Sequence, residues 1–318
     1  MTRARQRSIA LGSVRVAACL AASLVLAAAA PATSHAMILP PNDLWQEDNQ
    51  LAATGISEQQ FNAVLDAIQF RYVPHFFFFN ARLVINRFWT DPTVNAFAHR
   101  TGNDWIIDMY GGLARRAEIT ADGFALVACH EIGHHLGGYP FYPANGANNW
   151  AATEGQADTY ATQACARFIW LTDPANADIA RNAPQTVRNK CNAAWDSTEN
   201  RNLCARIELA SKSLGDLFGA LEGRTVGYDT PDGSTVNQTV STHPAAQCRL
   251  DTMVAASQCG VSFNFDIIPG INDPIGTNTA HAELTAATAS CLPAAGLIGT
   301  PGYNGFDRPR CWFAPLVH

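Results

Sequence analysis

The sequence predicts an α+β fold, in which a small and mostly antiparallel sheet packs on a body of helices. One observation is a group of three neighbouring segments with the composition of strands, namely Arg82–Trp89, Val94–His99 and Trp105–Tyr110. Another is the helical spacing of apolar residues before and after this group. The chain has 318 residues, of which 47% are hydrophobic, so it is long enough to bury one large core.

The first 36 residues have the features of a secretory signal peptide. Four arginines and no acidic residue accompany an apolar stretch from Val16 to Ala30, and Ser34–Ala36 forms a small-x-small cleavage signal. We therefore predict a signal peptide over residues 1–36 that is cut after Ala36. Its removal takes the formal net charge from −6 to −10, because it carries four arginines. The segment Val16–Cys19 resembles a lipoprotein box, but the apolar run continues past it, so lipidation is the less favoured alternative.

The composition after residue 36 predicts an exported protein, either periplasmic or secreted. No later stretch approaches the ~18 consecutive apolar residues of a membrane span, so we expect no transmembrane segment in the mature chain. Eight of the nine cysteines follow the signal peptide, and an even number in an exported chain indicates disulfides whose pairing the sequence leaves open. The acidic net charge and the lack of a basic patch exclude nucleic acid as an expected partner.

The elements before residue 111 are predicted from their spacing. Ser57–Gln60 is a capping box, and it opens an amphipathic helix that we expect to end near Phe70. We expect Phe76–Phe79 to form a buried strand or an apolar plug between helix and sheet; a membrane or ligand contact is the alternative. The last two strands are joined by a turn at Gly102–Asp104, and we expect the third, Trp105–Tyr110, to be the edge strand nearest the helix that follows it.

An HExxH motif runs from His130 to His134 inside an apolar helical segment. We expect Asp122 to cap this helix and Gly137 to end it. On a helix, His130 and His134 project from one face one turn apart, so their imidazoles can bind one divalent ion. Glu131 lies about 100° round the helix from His130, so it is poorly placed as a ligand but can reach a water on the metal. Zinc-assisted hydrolysis needs this division of roles.

A second helix supplies the remaining candidate groups. Glu154 follows the motif by twenty residues, in an Ala-rich segment that we expect to be capped at Asn148 or Asn149 and to run to about Trp170. Glu154 can complete a site of two histidines and one carboxylate, which predicts one Zn²⁺ per chain. Asp158, one turn later, can accept a hydrogen bond from the outer ring nitrogen of a ligand, for which we expect His130. The alternative is that both carboxylates lie on a solvated helix face.

Three motifs in this order resemble the gluzincin metallopeptidases of the HtpX and CAAX-prenyl-endopeptidase type, including their soluble periplasmic relatives. The first is the HExxH helix preceded by its strands. The second is Glu154-x-x-Ala157-Asp158, which matches the third-ligand motif of that family. The third is Ser241-Thr242-His243-Pro244, followed by Arg249-Leu250, which is similar to its downstream His-Pro motif. The resemblance covers the chain from about Ser57 to Leu250.

The resemblance implies a gluzincin-like domain over residues 37–258, with zinc between two helices and an extended substrate pairing with an edge strand. It also implies that His243 approaches the active site and donates a hydrogen bond to the oxyanion of the substrate. The alternative is that His243 only caps the helix running through Arg249. His281 is a weaker rival for the same role.

The loop between the two metal-binding helices, residues 137–149, contains two tyrosines that are candidates to line the cleft, Tyr139 and Tyr142. Two positions depart from the family pattern. Tyr139 stands where the family often has a histidine, and Gln156 stands where an acidic residue is common. The departure at Tyr139 puts any role of that histidine in doubt for this chain.

We therefore expect an exported zinc-dependent endopeptidase that acts on polypeptides. His130, His134 and Glu154 bind the ion, and Glu131 takes the proton of the water and later delivers it to the leaving amine. One alternative is a non-proteolytic zinc-containing binding or assembly factor with an occluded site, and another is a helix core without metal. Residues 259–318 show no family match and are expected to form a Cys-containing extension packed on the body. The oligomeric state stays open.

Overall fold

The computed structural model describes residues 36–47, 55–146, 149–288, 291 and 308–316. They all belong to one compact unit that spans Ser34–His318. Apart from its last residue, Ala36, the predicted signal peptide lies outside the described residues. The prediction of an α+β fold is confirmed, because a four-stranded sheet lies beside a body of helices.

The first helix, α1, spans Glu58–Phe78 and begins at the predicted capping box. The Ser57 hydroxyl accepts a hydrogen bond from the Gln60 N–H, and the Gln60 side chain accepts one from the Ser57 N–H at 3.0 Å. Its buried side chains recur at helical spacing, and they are Phe61, Leu65, Ile68, Tyr72 and Phe76. One face of α1 therefore packs on the core along its whole length.

The prediction for Phe76–Phe79 is wrong, and so is the predicted end of the helix at Phe70. Phe76 is buried on the inner face of α1, whereas the rings of Phe77 and Phe78 are 81% and 69% exposed. The reason is the helical period, which turns only one of these successive rings towards the core. A run of four aromatic residues is compatible with a strand or a helix, and here the capped helix continues through it.

Four strands form one sheet in the order β1-β3-β4-β2; they are β1 (Ala36–Met37), β2 (Arg82–Phe88), β3 (Ala96–Thr101) and β4 (Asp104–Tyr110). Antiparallel β3 and β4 are joined by a tight turn at Gly102, whose φ of 60° suits glycine. β1 pairs antiparallel with β3, and β2 pairs parallel with β4. Two of the three pairings are therefore antiparallel, as predicted.

The prediction that Trp105–Tyr110 forms the edge strand is wrong. β4 is internal, because β2 pairs with it on one side and β3 on the other. The outer edge nearest the candidate site belongs to β3, and β1 pairs with it in the register Ala36↔Ala98 and Met37↔Phe97. Pairing between strands that are distant in sequence decides which strand is at the edge, and local spacing does not reveal it.

After a short helix, α2 (Gly111–Ala114), the chain enters the HExxH helix α3 (Ala121–Leu136). Thr120, and not Asp122 as predicted, is the N-cap, and its hydroxyl accepts a hydrogen bond from the Gly123 N–H at 3.0 Å. Asp122 instead pairs with Arg206 at 2.8 Å, because an acidic side chain in the first turn is free to bind a cation from another helix. The helix ends at Gly137, as predicted.

The second predicted metal-binding helix is continuous but contains a π-helical segment. It consists of α4 (Glu154–Tyr160), the π-helical residues Ala161–Cys165 and α5 (Ala166–Trp170). Its predicted end at Trp170 is confirmed. Its N-cap is Thr153 and not Asn149, and Asn148 lies outside the described residues. A disulfide between Cys129 and Cys165 joins α3 to the π-helical segment, so the two helices are covalently linked.

The remaining helices complete the body around α3. They are α6 (Ala175–Arg181), α7 (Gln185–Ala194), α8 (Thr198–Glu222), α9 (Ala246–Ser257) and α10 (Ala280–Ala287). α3 packs against α1, α4 and α8, so it lies at the centre of the body. α9 packs against both α8 and α4, which brings the segment after the His-Pro motif to the second metal-binding helix.

The eight cysteines within the described ranges form four disulfides. Besides the bond between α3 and the π-helical segment, the pairs are Cys191–Cys204, Cys248–Cys311 and Cys259–Cys291. Disulfides persist in oxidising compartments, so these bonds agree with an exported protein. None of the helices in the described part of the chain combines the length and the apolar character that crossing a membrane requires.

The C-terminal residues 308–316 pack against the first turn of α4. Trp312 is fully buried, and its indole lies so close to Gly155 that an added Cβ at that glycine would come within 2.3 Å of the ring. The disulfide Cys248–Cys311 ties the same segment to α9. The described part of the predicted extension, residues 259–318, is therefore stapled to the body, as the cysteines of the sequence indicate.

Candidate metal centre

Three side chains from α3 and α4 converge on one point. The rings of His130 and His134 lie one helical turn apart, with centroids 4.7 Å apart and planes nearly perpendicular at 88°. Glu154, the first residue of α4, places its carboxylate oxygens 3.1 Å from Nε2 of His130 and 3.6 Å from Nε2 of His134. One ligand atom from each residue lies within 4.8 Å of the others, and all three side chains are buried. The structure thus brings the three predicted ligands together.

The donor set fits a zinc ion. Two imidazole nitrogens and one carboxylate oxygen are ligands that zinc commonly takes, and three protein ligands leave a fourth position for water. Nε2 of His134 is buried and has no hydrogen-bond partner in the parts of the chain that the structure describes. Buried polar atoms nearly always have a hydrogen-bond partner or a metal ion as a partner. A metal ion at the centre would supply the missing partner of this nitrogen.

The outer nitrogens of both rings are held by hydrogen bonds. Nδ1 of His130 lies 2.8 Å from Oδ1 of Asp158, and Nδ1 of His134 lies 2.8 Å from the carbonyl oxygen of Ala152. With a metal bound and each Nδ1–H donating outwards, both Nε2 lone pairs would point to the common centre, which is the arrangement typical of metal-binding histidines. Asp158 thus binds the outer nitrogen of His130, which is the contact that its spacing of one helical turn from Glu154 predicts.

Arg249 from α9 binds this outer carboxylate. Its guanidinium donates to both oxygens of Asp158, at 2.7 and 2.8 Å, and lies 3.8 Å from the ring centroid of Phe218. Burial raises the pKa of Asp158, but Arg249 and His130 outweigh it and hold that pKa below its usual value. Asp158 is therefore a stable anion behind His130. The sequence reasoning included Arg249 in the His-Pro motif but did not assign it to the site.

The ligand side chains affect each other's protonation before any metal enters. Burial lowers the pKa of His130, but the Asp158 and Glu154 carboxylates outweigh it and raise that pKa to about 9. Burial dominates at His134 and lowers its pKa to about 4. The pKa of Glu154 lies below its usual value, since His134 and His243 outweigh its burial. The metal-free centre thus contains one cationic ring, one neutral ring and a carboxylate.

Glu131 is buried beside the ligands and does not belong to their cluster. Neither of its carboxylate oxygens has a hydrogen-bond partner among the residues described by the structure. Burial raises the pKa of Glu131 well above its usual value, and the nearby cation of His130 offsets part of this rise. The backbone N–H of Ile38 also lowers the pKa of Glu131. This N–H donates its hydrogen bond to the carbonyl oxygen of Ala96, at 3.3 Å. Glu131 is thus a carboxyl group that is available for proton transfer.

The two loop tyrosines have different environments. The Tyr142 hydroxyl donates to Oε1 of Glu154 at 2.6 Å, so Tyr142 contacts the centre, as expected. The prediction for Tyr139 is wrong, because its hydroxyl donates to Glu283 of α10 at 2.7 Å and its ring is buried near Phe313. Both Glu283 and Phe313 belong to the predicted C-terminal extension, which therefore packs on this side chain.

His243 reaches the centre. Its Nε2 lies 3.6 Å from Oε2 of Glu154 and donates to the carbonyl oxygen of Met37 at 2.8 Å. It does not cap α9, whose N-cap is Ala245. The rival His281 is exposed and pairs with Asp273, and neither residue belongs to the group of predicted ligands.

Sequence reasoning missed the segment that follows the predicted cleavage site. The carbonyl oxygen of Met37 binds His243, and the carbonyl oxygen of Ile38 accepts a hydrogen bond from Nη1 of Arg249 at 2.5 Å. The short apolar run Met37–Leu39 is the only signal in the sequence that this segment is buried. It lies beside the centre because β1 pairs with β3.

Two other groups of potential ligand atoms occur in the described part of the chain. One combines Cys191 and Cys204 with Glu208, and the other combines Cys248 and Cys311 with Asp232. In both groups the cysteines form a disulfide, so they offer no thiolate to a metal.

No protein-family model, no curated protein and no solved structure matches this chain. The resemblance to the gluzincins therefore depends on the three sequence motifs alone and stays a prediction.

Proposed function

We propose that the protein is a zinc-dependent endopeptidase with a gluzincin-like domain that acts outside the cytoplasm. The observation that carries the proposal is the convergence of His130, His134 and Glu154 on one point, with the carboxyl group of Glu131 beside them. Metal-assisted hydrolysis of a peptide bond requires three protein ligands and a general base in this relation. The predicted signal peptide and the four disulfides support an exported location.

A zinc ion held by the three ligands would lower the pKa of a water molecule and polarise the scissile carbonyl. Glu131 takes the proton of the attacking water and later delivers it to the leaving amine. The surroundings of Glu131 suit the second part of this role, because burial favours the protonated carboxyl group. Asp158 keeps His130 oriented throughout, since it binds the outer nitrogen of that ring.

We assign His243 to the stabilisation of the oxyanion. Its Nε2–H already donates to a peptide carbonyl, that of Met37, while lying 3.6 Å from Glu154. A substrate carbonyl in the same position would receive the same hydrogen bond, which strengthens as negative charge develops on the oxygen. The proposed substrate is a polypeptide in an extended conformation.

One observation favours a second candidate, a zinc-containing binding or assembly factor without proteolytic activity. The side chains of His130, Glu131 and Glu154 are completely buried, and the hydroxyl of Tyr142 covers one oxygen of Glu154. A closed metal centre of this kind can stabilise a protein without admitting a substrate.

The test combines a zinc assay with cleavage of a denatured protein such as casein, with and without chelator. The endopeptidase proposal expects about one zinc per chain and cleavage that the chelator abolishes. The Glu131→Gln variant should keep the zinc and lose the cleavage, while Glu199→Gln, an exposed change of the same chemistry, serves as the control. Zinc-loaded protein that cleaves neither casein nor a peptide library supports the binding factor. Less than about a tenth of an equivalent of zinc contradicts both.

A further inference from the structure

The segment Ala36–Leu39, which spans the predicted cleavage site after Ala36, lies along the outer edge of β3, and we refer to it as the N-terminal strand. The Ile38 N–H donates to the carbonyl oxygen of Ala96 at 3.3 Å, which continues the antiparallel pairing of β1. Leu39 exchanges two hydrogen bonds with the Asn95 side chain, each 3.2 Å long. The strand thus lies along an edge of the sheet, the kind of surface with which an extended polypeptide substrate can pair.

The N-terminal strand also contacts the metal centre. The carbonyl oxygen of Met37 accepts a hydrogen bond from His243 at 2.8 Å, and that of Ile38 accepts one from Arg249 at 2.5 Å. His243 lies 3.6 Å from Glu154, so the side chain that binds the strand also contacts a predicted ligand. The strand is therefore held between the edge of β3 and the centre itself.

These contacts are made mainly to main-chain atoms of the strand. The N–H of Ile38 and the carbonyl groups of Met37 and Ile38 are groups that every peptide in an extended conformation presents. A polypeptide substrate on the edge of β3 would use the same hydrogen bonds and place a carbonyl group at His243. This edge of β3 offers one row of main-chain groups for pairing, so the strand and a substrate cannot bind it together.

We infer that the N-terminal strand is a built-in inhibitor, which occupies the path of an extended substrate and must leave β3 before a substrate reaches the metal centre. The inference rests on the proposed endopeptidase function, because the regulated site is the one assigned to it. A strand in the same chain competes at a high effective concentration, so it holds the site closed more strongly than a free peptide of the same sequence.

The chain around the strand permits such a movement. Residues 40–43 are exposed and connect the buried strand to Gln46. Gln46 is anchored, since its N–H donates to the carbonyl oxygen of Pro92 at 2.9 Å and its own carbonyl accepts hydrogen bonds from Arg115. Release of the strand therefore requires movement only of the chain before this anchor. Predicted cleavage after Ala36 would make the strand a free chain end.

A cross-link tests the inference by fixing the strand in place. The hydrogen bond from Ile38 to Ala96 makes Met37 and Phe97 a non-hydrogen-bonded pair. The Cα atoms of such a pair lie about 4.5 Å apart, which suits a disulfide. The Met37→Cys/Phe97→Cys variant should therefore lock the strand, and the Met37→Ser/Phe97→Ser variant, which cannot cross-link, sets the reference rate. We expect casein cleavage by the locked variant to fall at least tenfold below this reference, at about one zinc per chain in both.

The opposite change should open the site. Ile38→Ala removes much of a completely buried side chain and keeps every main-chain hydrogen bond, so it weakens the strand without changing the centre. We expect casein cleavage by this variant to rise roughly tenfold above the wild type, because a larger fraction of molecules is open. Equal cleavage rates in the locked variant and its serine reference would overturn the inference.

A binding measurement separates this inference from the proposed function. The probe is a fluorescein-labelled peptide with the sequence of residues 36–41, Ala-Met-Ile-Leu-Pro-Pro, added to zinc-loaded proteins that also carry Glu131→Gln. Fluorescence anisotropy should show binding to the Ile38→Ala protein and none to the locked protein. Peptide binding in this pattern without any cleavage by Glu131-containing protein would show that the strand occupies a peptide-binding edge, and it would contradict the endopeptidase and with it the inhibitory role. Cleavage without this pattern, or no peptide binding to either protein, contradicts the inhibitor.

Discussion

Arg249 donates hydrogen bonds to both carboxylate oxygens of Asp158, at 2.7 and 2.8 Å, and both side chains are buried. Asp158 in turn binds the outer nitrogen of His130. The orientation of a predicted metal ligand on α3 is thus linked through α4 to a cation on α9. A buried ion pair of this kind contributes little to stability by itself, but the loss of Arg249 leaves the buried charge of Asp158 with His130 as its remaining partner.

The first prediction follows from this ion pair. Arg249→Met should lower the free energy of unfolding of the zinc-free protein by about 3–5 kcal/mol, because Asp158 keeps its buried charge. Asp158→Asn in the same protein should recover part of this loss, so the effects of the two substitutions are not additive. Urea denaturation of the two single variants and the double variant measures the coupling. Additive effects would contradict the assigned interaction.

The second prediction concerns the metal ligands. Added zinc should raise the melting temperature of the wild type, since an ion that binds only the folded protein stabilises it. His134→Ala should abolish this shift because it removes one of the three ligands. His99→Ala is the matched control, because His99 pairs with Asp108 outside the centre. The assignment would be wrong if zinc raised the melting temperature of His134→Ala as much as that of the control.

The third prediction concerns Asp158 as a positioning residue. Asp158→Asn should reduce zinc affinity by about 10–100-fold, because the loss of the carboxylate weakens the hold on the outer nitrogen of His130. Competition with a zinc-binding dye measures the affinity without reference to any activity. Asp104→Asn changes a partly exposed carboxylate that pairs with Arg82 away from the centre, so it should leave the affinity unchanged.

The fourth prediction concerns the disulfide between the two metal-binding helices. Cys129→Ala/Cys165→Ala opens a loop whose ends are 36 residues apart, and it should lower the free energy of unfolding by about 2–4 kcal/mol. It should also increase the rate of zinc loss, because α3 and the second helix are no longer tied. Cys191→Ala/Cys204→Ala removes a bond away from the centre and should destabilise the protein without changing zinc loss. Equal rates of zinc loss in the two variants would refute the link between this bond and the centre.

The fifth prediction concerns pH and the buried carboxyl group of Glu208. Burial raises the pKa of Glu208 to about 7, and one of its oxygens accepts a hydrogen bond from Gln258 at 2.7 Å. The folded state therefore binds this proton more tightly than the unfolded state does. The resulting stabilisation is complete below about pH 4.5 and is lost as the pH rises through 7.

Glu208→Gln imitates the protonated side chain, so the variant should exceed the wild type in stability at pH 8 by on the order of 2 kcal/mol. The difference should be small near pH 5, where Glu208 is protonated in the folded protein. Urea denaturation at both pH values measures it, and Glu199→Gln on the exposed face of α8 serves as the control. A stability difference that is the same at pH 5 and pH 8 would contradict the role assigned to Glu208.

The site residues were predictable where helical spacing alone places them. Residues four positions apart lie on the same face of a helix wherever that helix is in the protein. His130 and His134 have this spacing, and Glu154 and Asp158 repeat it on the second helix. The chemistry of their side chains then indicates a metal. Helical spacing and side-chain chemistry together therefore account for the predicted ligands that the structure brings together.

The features that the sequence did not reveal depend on pairing between distant segments. β1 lies beside β3 although about 60 residues separate them, and Arg249 reaches Asp158 from a third helix. The prediction for Phe76–Phe79 was wrong for another reason, because a short aromatic run is compatible with a strand or a helix. The preceding cap at Ser57 decided between them, because it began a helix long enough to include the run.

The contact of Trp312 with Gly155 makes the wall beside Glu154 depend on a segment that is distant in the sequence. The Cys248–Cys311 bond ties that segment to α9, next to the indole that packs on Gly155. Reduction of this bond should therefore loosen the packing on the first turn of α4. The hold on a metal would then depend on the redox state of two cysteines that are not themselves predicted ligands.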